Sequence, residues 1–365
     1  MTPWPQPRIF GLTAPLSGTI VIFYFTISVV TICRSYVKRM TRGKELSMED
    51  GKKLAVVALG GNAILDKKRG TDIHAQFQAT RESMEGVVEL LKSEYRLLIT
   101  HGNGPQVGNI MLMVENSRNS LPETPLGVAD AMTCGSIGYM IEQSLQNTML
   151  KNKIWRNVVT IPAQVVVDPN DPAMEDPTKP IGPFYDEAEA KALSEQHGWV
   201  VKEDAGRGWR RYVASPYPLD IIEKESIRHL IDEDYVVISG GGGGIPVYWD
   251  ENGLIEGMDC VIDKDLASMK LALAVGAHEL IIITGVPKVS INFGKDDQKD
   301  LEKITLAQAR HYQRQGQFPA GSMGPKIAAA IEFVQADPDN RVIITDVANL
   351  PAAIRGEAGT VIMSH

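Results

Sequence analysis

Residues 235–268 read YVVISGGGGGIPVYWDENGLIEGMDCVIDKDLAS, and they restrict what this chain can become more than any other stretch. Tyr235, Val236, Val237 and Ile238 form an apolar, mostly β-branched run that predicts a strand. It breaks into five consecutive glycines, residues 240–244. Each glycine loses much backbone entropy on folding, so such a run is a poor way to build a core. It suits a place where backbone comes close to a ligand and presents N–H groups to it. A flexible linker would mix Ser and other polar residues with the glycines and would not follow an apolar strand. The stretch ends on Asp263-Lys264-Asp265, at the threshold of an apolar-rich segment that reads as a helix.

The same grammar recurs along the chain. Residues 53–59 (KLAVVAL) predict a strand ending in Gly60-Gly61-Asn62, and residues 96–100 (RLLIT) another, ending in His101-Gly102-Asn103-Gly104. Apolar spacing predicts helices over residues 71–94, after Pro105, over 131–150 and over 220–232. Residues 157–167, 279–286, 341–347 and 360–363 read as strands. Continuous apolar strands separated by helices imply an α/β fold, a mostly parallel sheet covered on both faces. In such a sheet the ligand crevice lies at the carboxyl ends of the strands. Three glycine turns at that edge, each leading towards a helix N-terminus, would make a cradle of N–H groups for an anion.

Two segments depart from the alternation. Residues 168–215 are rich in Pro, Gly, Asp and aromatics, with one short helix signal over 186–196. Phe184, Tyr185, Trp199, Trp209 and Tyr212 need something to pack on, so the segment reads as a small inserted subdomain rather than a disordered loop. Residues 9–33 are uncharged and 20–32 (IVIFYFTISVVTI) densely apolar, with Arg34, Lys38, Arg39, Arg42 and Lys44 following. That length spans a bilayer, and the basic flank would keep the remainder cytosolic. A start at Met40 or Met48, both just upstream of the globular pattern, fits as well. Residues 1–47 hold six Lys and Arg against one Glu, within a chain of net charge −8, so a boundary falls near residue 48. The working part is then residues 49–365. Its acidity argues against a nucleic-acid binder. Cys33, Cys134 and Cys260 have no metal-ligand or disulfide spacing, and no His pair has metal spacing either.

The anion chemistry is narrowed by absences and by three lysines. No GxxxxGK[ST] loop and no complete GxGxxG fingerprint occurs, and a Ser-His-Asp hydrolase would lack its GxSxG turn. Lys179 lies in Pro177-Thr178-Lys179-Pro180, Lys264 between two aspartates, and Lys326 after the glycine turn Gly321-Ser322-Met323-Gly324. Phosphoryl transfer asks a protein mainly to position reactants and neutralise the moving group, for which lysine is a compact, flexible charge. An aspartate beside such lysines can hold them in place.

These residues together resemble the carbamate kinases, within the amino-acid-kinase fold family. The matching pieces are ALGGNA (58–63), HGNGPQVG (101–108), GSIGYM (135–140), PTKPIGPFY (177–185), EDAGRGWRR (203–211), SGGGGGIPV (239–247), VIDKDLAS (261–268), INFGK (291–295) and GSMGPK (321–326). They follow the family's order from about Lys52 to the C-terminus. The resemblance implies a three-layer α/β/α sandwich with a small protruding subdomain and a nucleotide-binding half over residues 216–365. It implies reversible transfer between ATP and carbamate, giving ADP and carbamoyl phosphate with Mg2+, running towards ATP in arginine breakdown. Lys179, Lys264 and Lys326 match the family's phosphate-clamping positions, with Asp265 as organiser. Gly60, Gly61 and Asn62 match the turn near the transferring phosphate, and Gly102, Asn103 and Gly104 the turn near carbamate. Gly240, Gly241 and Gly242 form the third wall. Adenosine would lie near Thr284, Val286 and Met323, and the enzyme would be a cytoplasmic homodimer. Thr133-Cys134 stands where Ser-Gln is common, and Gly285 where Asp is frequent. Two other readings stay open: the same fold acting on acetylglutamate, glutamate or a nucleoside monophosphate, and a membrane-anchored nucleotide-binding regulator without turnover.

Overall fold

The computed structural model describes residues 52–65, 70–204, 208–319 and 321–365. The expected apolar segment 9–33 lies outside the described residues.

An eight-stranded sheet runs through the centre. Its order is Lys303–Thr305, Thr360–Met363, Arg341–Thr345, Glu279–Ile283, Leu54–Leu59, Arg96–His101, Val236–Ser239 and Val158–Ile161. Every neighbouring pair is parallel except Arg341–Thr345 with Thr360–Met363. The strands are apolar on both faces because both are covered. Ala55, Val57, Leu59, Ile281 and Ile283 point into one core with the helices Ile73–Lys92, Leu126–Lys151 and Leu350–Ile354. Leu54, Val56, Ala58, Leu280 and Ile282 point into a second, with Lys224–Asp232, Lys264–Ala274, Leu306–Arg314 and Met323–Ala336. The period-two alternation of one strand thus feeds two cores and gives the three layers.

Local chemistry starts and seats the helices. Asp72 caps Ile73–Lys92 by accepting from His74 N and Ala75 N at 2.8 and 3.1 Å, which satisfies two N–H groups that the first turn leaves without a helical partner. Leu126–Lys151 crosses the edge strand at Gly138, where a Cβ would lie 2.2 Å from Thr160 Cγ2. Only a residue without a side chain permits that approach.

Two segments depart from the sequence reading. Residues 157–167 form two strands, Val158–Ile161 and Gln164–Val166, in different sheets. Pro162 falls between them and has no N–H for a ladder bond. Residues 220–232 open with the short strand Asp220–Ile221 before the helix begins at Lys224. The segment around 168–215 contains a three-stranded antiparallel sheet of Lys179–Tyr185, Trp209–Val213 and Val200–Glu203, with the helix Glu187–His197. No helix among the described residues is long and apolar enough to cross a membrane.

At the amino-terminal edge of the main sheet, buried Glu279 takes two bonds from Arg341 Nη2 at 2.9 and 3.0 Å and one from Tyr95 Oη at 3.1 Å. Glu279→Ala leaves both donors without their acceptor and is expected to cost about 2–3 kcal/mol of stability. Urea unfolding measures this; an unchanged midpoint would contradict it.

Candidate active site

The strands Leu54–Leu59, Arg96–His101 and Val236–Ser239 are adjacent and parallel, so the three glycine turns that follow them lie side by side at one sheet edge. Gly60 leads into the short helix Gly61–Ile64, and Asn103 is the N-cap of Gly104–Ser117. A Cβ on Gly60 would lie 2.5 Å from the Ile283 carbonyl oxygen, to which Gly60 N–H is bonded at 2.9 Å. Gly102 N–H bonds Leu59 O at 3.0 Å. A Cβ on Gly102 would sit 3.7 Å from Lys264 Cδ and 3.8 Å from Gly61 N, so the Lys264 stem passes the first two turns.

The third turn differs from its expected form. Residues 240–244 close in a single short turn and then enter the strand Ile245–Trp249, not a helix. Gly243 and Gly244 spend their N–H groups inside the turn, on Gly240 O and Gly241 O. The faces where side chains would project are filled. A Cβ on Gly241 would meet His101, on Gly242 the Asn103 amide, on Gly243 the Ile262 carbonyl and on Gly244 the Val165 side chain, all within 2.4 Å. Close packing demands glycine here at least as much as any ligand would. The run braces the second turn from behind.

That bracing fixes two polar side chains. His101 Nδ1 lies 3.1 Å from Gly102 O, and a carbonyl only accepts, so Nδ1 carries the proton. Burial pushes the imidazole down to about 4, against the pull of the Gly102 bond and with help from the Lys264 charge, so the ring is neutral. Asn103 Nδ2 donates to Asp130 Oδ1 and Thr133 Oγ1, both at 2.8 Å. Cys134 Sγ donates to Gly241 O at 3.1 Å. Thr133 and Cys134, read as departures from the family pattern, therefore hold the second and third turns.

The three lysines come from three elements. Lys264 opens the helix Lys264–Ala274, Lys326 lies in the first turn of Met323–Ala336, and Lys179 begins a strand of the small sheet. Asp265 brings the first two together: its Oδ1 takes Lys264 Nζ at 2.7 Å and its Oδ2 takes Lys326 Nζ at 3.0 Å. Burial of Asp265 would raise its pKa. The two ammonium groups outweigh that and hold it well below the usual carboxylate range. Lys179 Nζ instead pairs with Asp263 Oδ2 at 2.8 Å. Asp263 had no role of its own in the sequence reading. Its signal was an Asp directly before the first helical residue, the place of an N-cap. Ser268 pins the helix to the sheet, donating to Lys264 O at 2.7 Å and lying 2.6 Å from Thr100 Oγ1.

Thr284, Gly285 and Val286 follow the strand Glu279–Ile283, next to the first glycine turn, and Thr284 N–H bonds Thr345 O at 2.8 Å. A Cβ on Gly285 would lie 2.3 Å from Asn62 Nδ2, so the Asn62 amide occupies the space an aspartate there would need. Met323 stands at the start of the helix that carries Lys326, packed on the core. Among the described residues no group of three or more His, Cys, Asp or Glu side chains could hold a metal ion.

Residues 53–346 match the model of the Amino acid kinase family. Carbamate kinase 1 of Enterococcus faecium is 49% identical over 316 residues, 86% of this chain and 99% of that protein. The carbamate kinase of Pyrococcus horikoshii is 45% identical over 84% of this chain and 97% of its own length. A solved structure of carbamate kinase from Giardia lamblia bound to AMP-PNP superposes with a TM-score of 0.82 at 43% identity, over 86% of this chain and 99% of that one.

Asp130 supplies a test of the buried support behind Asn103. Burial raises its carboxyl to about 7, with the Asn103 bond opposing and the Asp259 charge adding. In the unfolded chain it ionises near 3.8, so stability declines as pH rises from there to about 7 and then levels off. Asp130→Asn keeps an acceptor for Asn103 and removes the titration. Its melting temperature relative to the parent is expected to improve more at pH 8 than at pH 5; equal differences at both would contradict the assignment.

Proposed function

This chain belongs to the amino acid kinase family, among its carbamate kinases, and from that premise we propose that it transfers a phosphoryl group reversibly between ATP and carbamate. The products are ADP and carbamoyl phosphate. The observation that carries this reading is the likeness to a carbamate kinase across 99% of that enzyme, in a chain that retains the lysine set.

In the forward direction a carbamate oxygen forms the new bond to the γ-phosphorus while the bond to the β-phosphate oxygen breaks. The transferring group carries its charge on equatorial oxygens, and stabilisation comes from fixed positive charge aimed at them. Lys264 and Lys326 supply two such charges, and Lys179 a third. Asp265 is the organiser that keeps two ammonium groups close before any phosphate arrives. Gly60, Gly61 and Asn62 line the transferring group, and Gly102, Asn103 and Gly104 the carbamate. Gly240, Gly241 and Gly242 support that wall. Thr284, Val286 and Met323 border the nucleotide. Mg2+ enters as part of the nucleotide substrate, held chiefly by phosphate oxygens.

The enzyme works in the cytoplasm as a homodimer in this reading. The exposed apolar row Val128, Met132, Tyr139 and Leu150 on one helix supports self-association. The ATP-forming direction fits a role in arginine breakdown. The intact lysine set speaks against a regulator without turnover.

A coupled assay for ATP from carbamoyl phosphate and ADP tests the proposal, with acetylglutamate, glutamate and UMP as competing acceptors in reverse. Turnover is expected with carbamoyl phosphate, and Lys179→Ala, Lys264→Ala and Lys326→Ala are each expected to lose about a hundred- to a thousandfold in kcat. Normal turnover in folded Lys264→Ala, or activity on glutamate derivatives alone, would overturn it.

A further inference from the structure

We infer that Asp263 is the positioning residue for Lys179, joining a lysine of the small sheet to the helix that carries the other half of the site. The inference rests on the carbamate kinase reading. Its two carboxylate oxygens have separate duties. Oδ1 accepts from Asp265 N at 2.9 Å and Leu266 N at 3.3 Å, capping the helix Lys264–Ala274. Oδ2 accepts from Lys179 Nζ at 2.8 Å. The two residues are 84 positions apart in sequence.

The charge balance explains why such a partner is needed. Lys264, Lys326 and the positive end of the helix already occupy this corner, and Asp265 has both oxygens engaged with those two lysines. A third ammonium entering this corner meets repulsion from the first two unless another carboxylate receives it. Lys179 is about a third exposed and has solvent as its alternative. Its backbone neighbourhood fixes the strand and not the ammonium: Thr178 N–H bonds Val213 O, and Val261 N–H bonds Ala214 O, which ties the sheet to the chain two residues before Asp263. Asp263 therefore sets the Nζ position, leaving two of its three N–H donors for phosphoryl oxygens.

The cap and the ion pair can be separated. Asn and Ser cap helices about as well as Asp but carry no charge for Lys179. Asp263→Asn is expected to melt within about 4 °C of the parent, and to lose at least tenfold in kcat for ATP formation while KM for ADP stays within threefold. The same substitution made in Lys179→Ala is expected to cost less than threefold more, because the residue acts through the lysine that is already gone. Asp263→Ser repeats the cycle should the Asn variant not fold. Parental kcat in the capped variant, a shifted KM for ADP, or a further loss above threefold in the Lys179→Ala background would overturn the inference. Turnover of the parent enzyme reports on the carbamate kinase reading itself, so the two failures are distinguishable.

Discussion

Two lysine ammonium groups are held on one buried carboxylate, and the proposed catalytic corner depends on that arrangement. Asp265 is almost wholly enclosed, and a lone carboxylate there would be costly. Paired through both oxygens with Lys264 and Lys326, it stays ionised, and each lysine has a fixed partner within the fold. In the proposed reaction, the positive charge that a phosphoryl group needs is thus assembled by the fold itself. This is preorganisation, in which little rearrangement is left for the moment of reaction.

The rest of the fold makes that contact possible. Lys264 and Lys326 come from different helices over the same face of the sheet, and both helices bury apolar sides in one core with Leu271, Ile327 and Phe333. Ser268 locks the first helix onto the end of a central strand. The second glycine turn comes close to the Lys264 stem, with a Cβ on Gly102 3.7 Å from Lys264 Cδ. Residues 240–244 pack closely against His101 and Asn103, which places them behind the second turn as its support. The inserted sheet contributes the third lysine from outside the main body, received by a second aspartate. The site is therefore a balance of three cations against two carboxylates.

Much of this was legible in the residues. Apolar strand runs gave seven strands of the main sheet, because a strand covered on both faces must be apolar throughout, as residues 54–59 and 279–283 are, while the short edge strand Lys303–Thr305 has no such run. Glycine turns pointed to one edge of the sheet, since they fall where those runs stop. Pro162 was visible, yet the long apolar run 157–167 masked the change of sheet it causes. The role of residues 240–244 was only half legible, because close packing and ligand approach demand glycine equally. The pairing of Lys179 with Asp263 could not be read locally: the partners are 84 positions apart and meet only through the fold. The same holds for Asn62 and Gly285, where one amide fills the space left by a missing side chain.

The carboxylate of Asp265 holds two lysines ready. The decisive measurement is kcat for ATP formation by Asp265→Asn, which keeps the shape and removes the charge. With the negative charge gone the two ammonium groups repel, and a loss of at least about a hundredfold is expected in a folded variant. A folded Asp265→Asn enzyme that turns over at the parental rate would contradict the account.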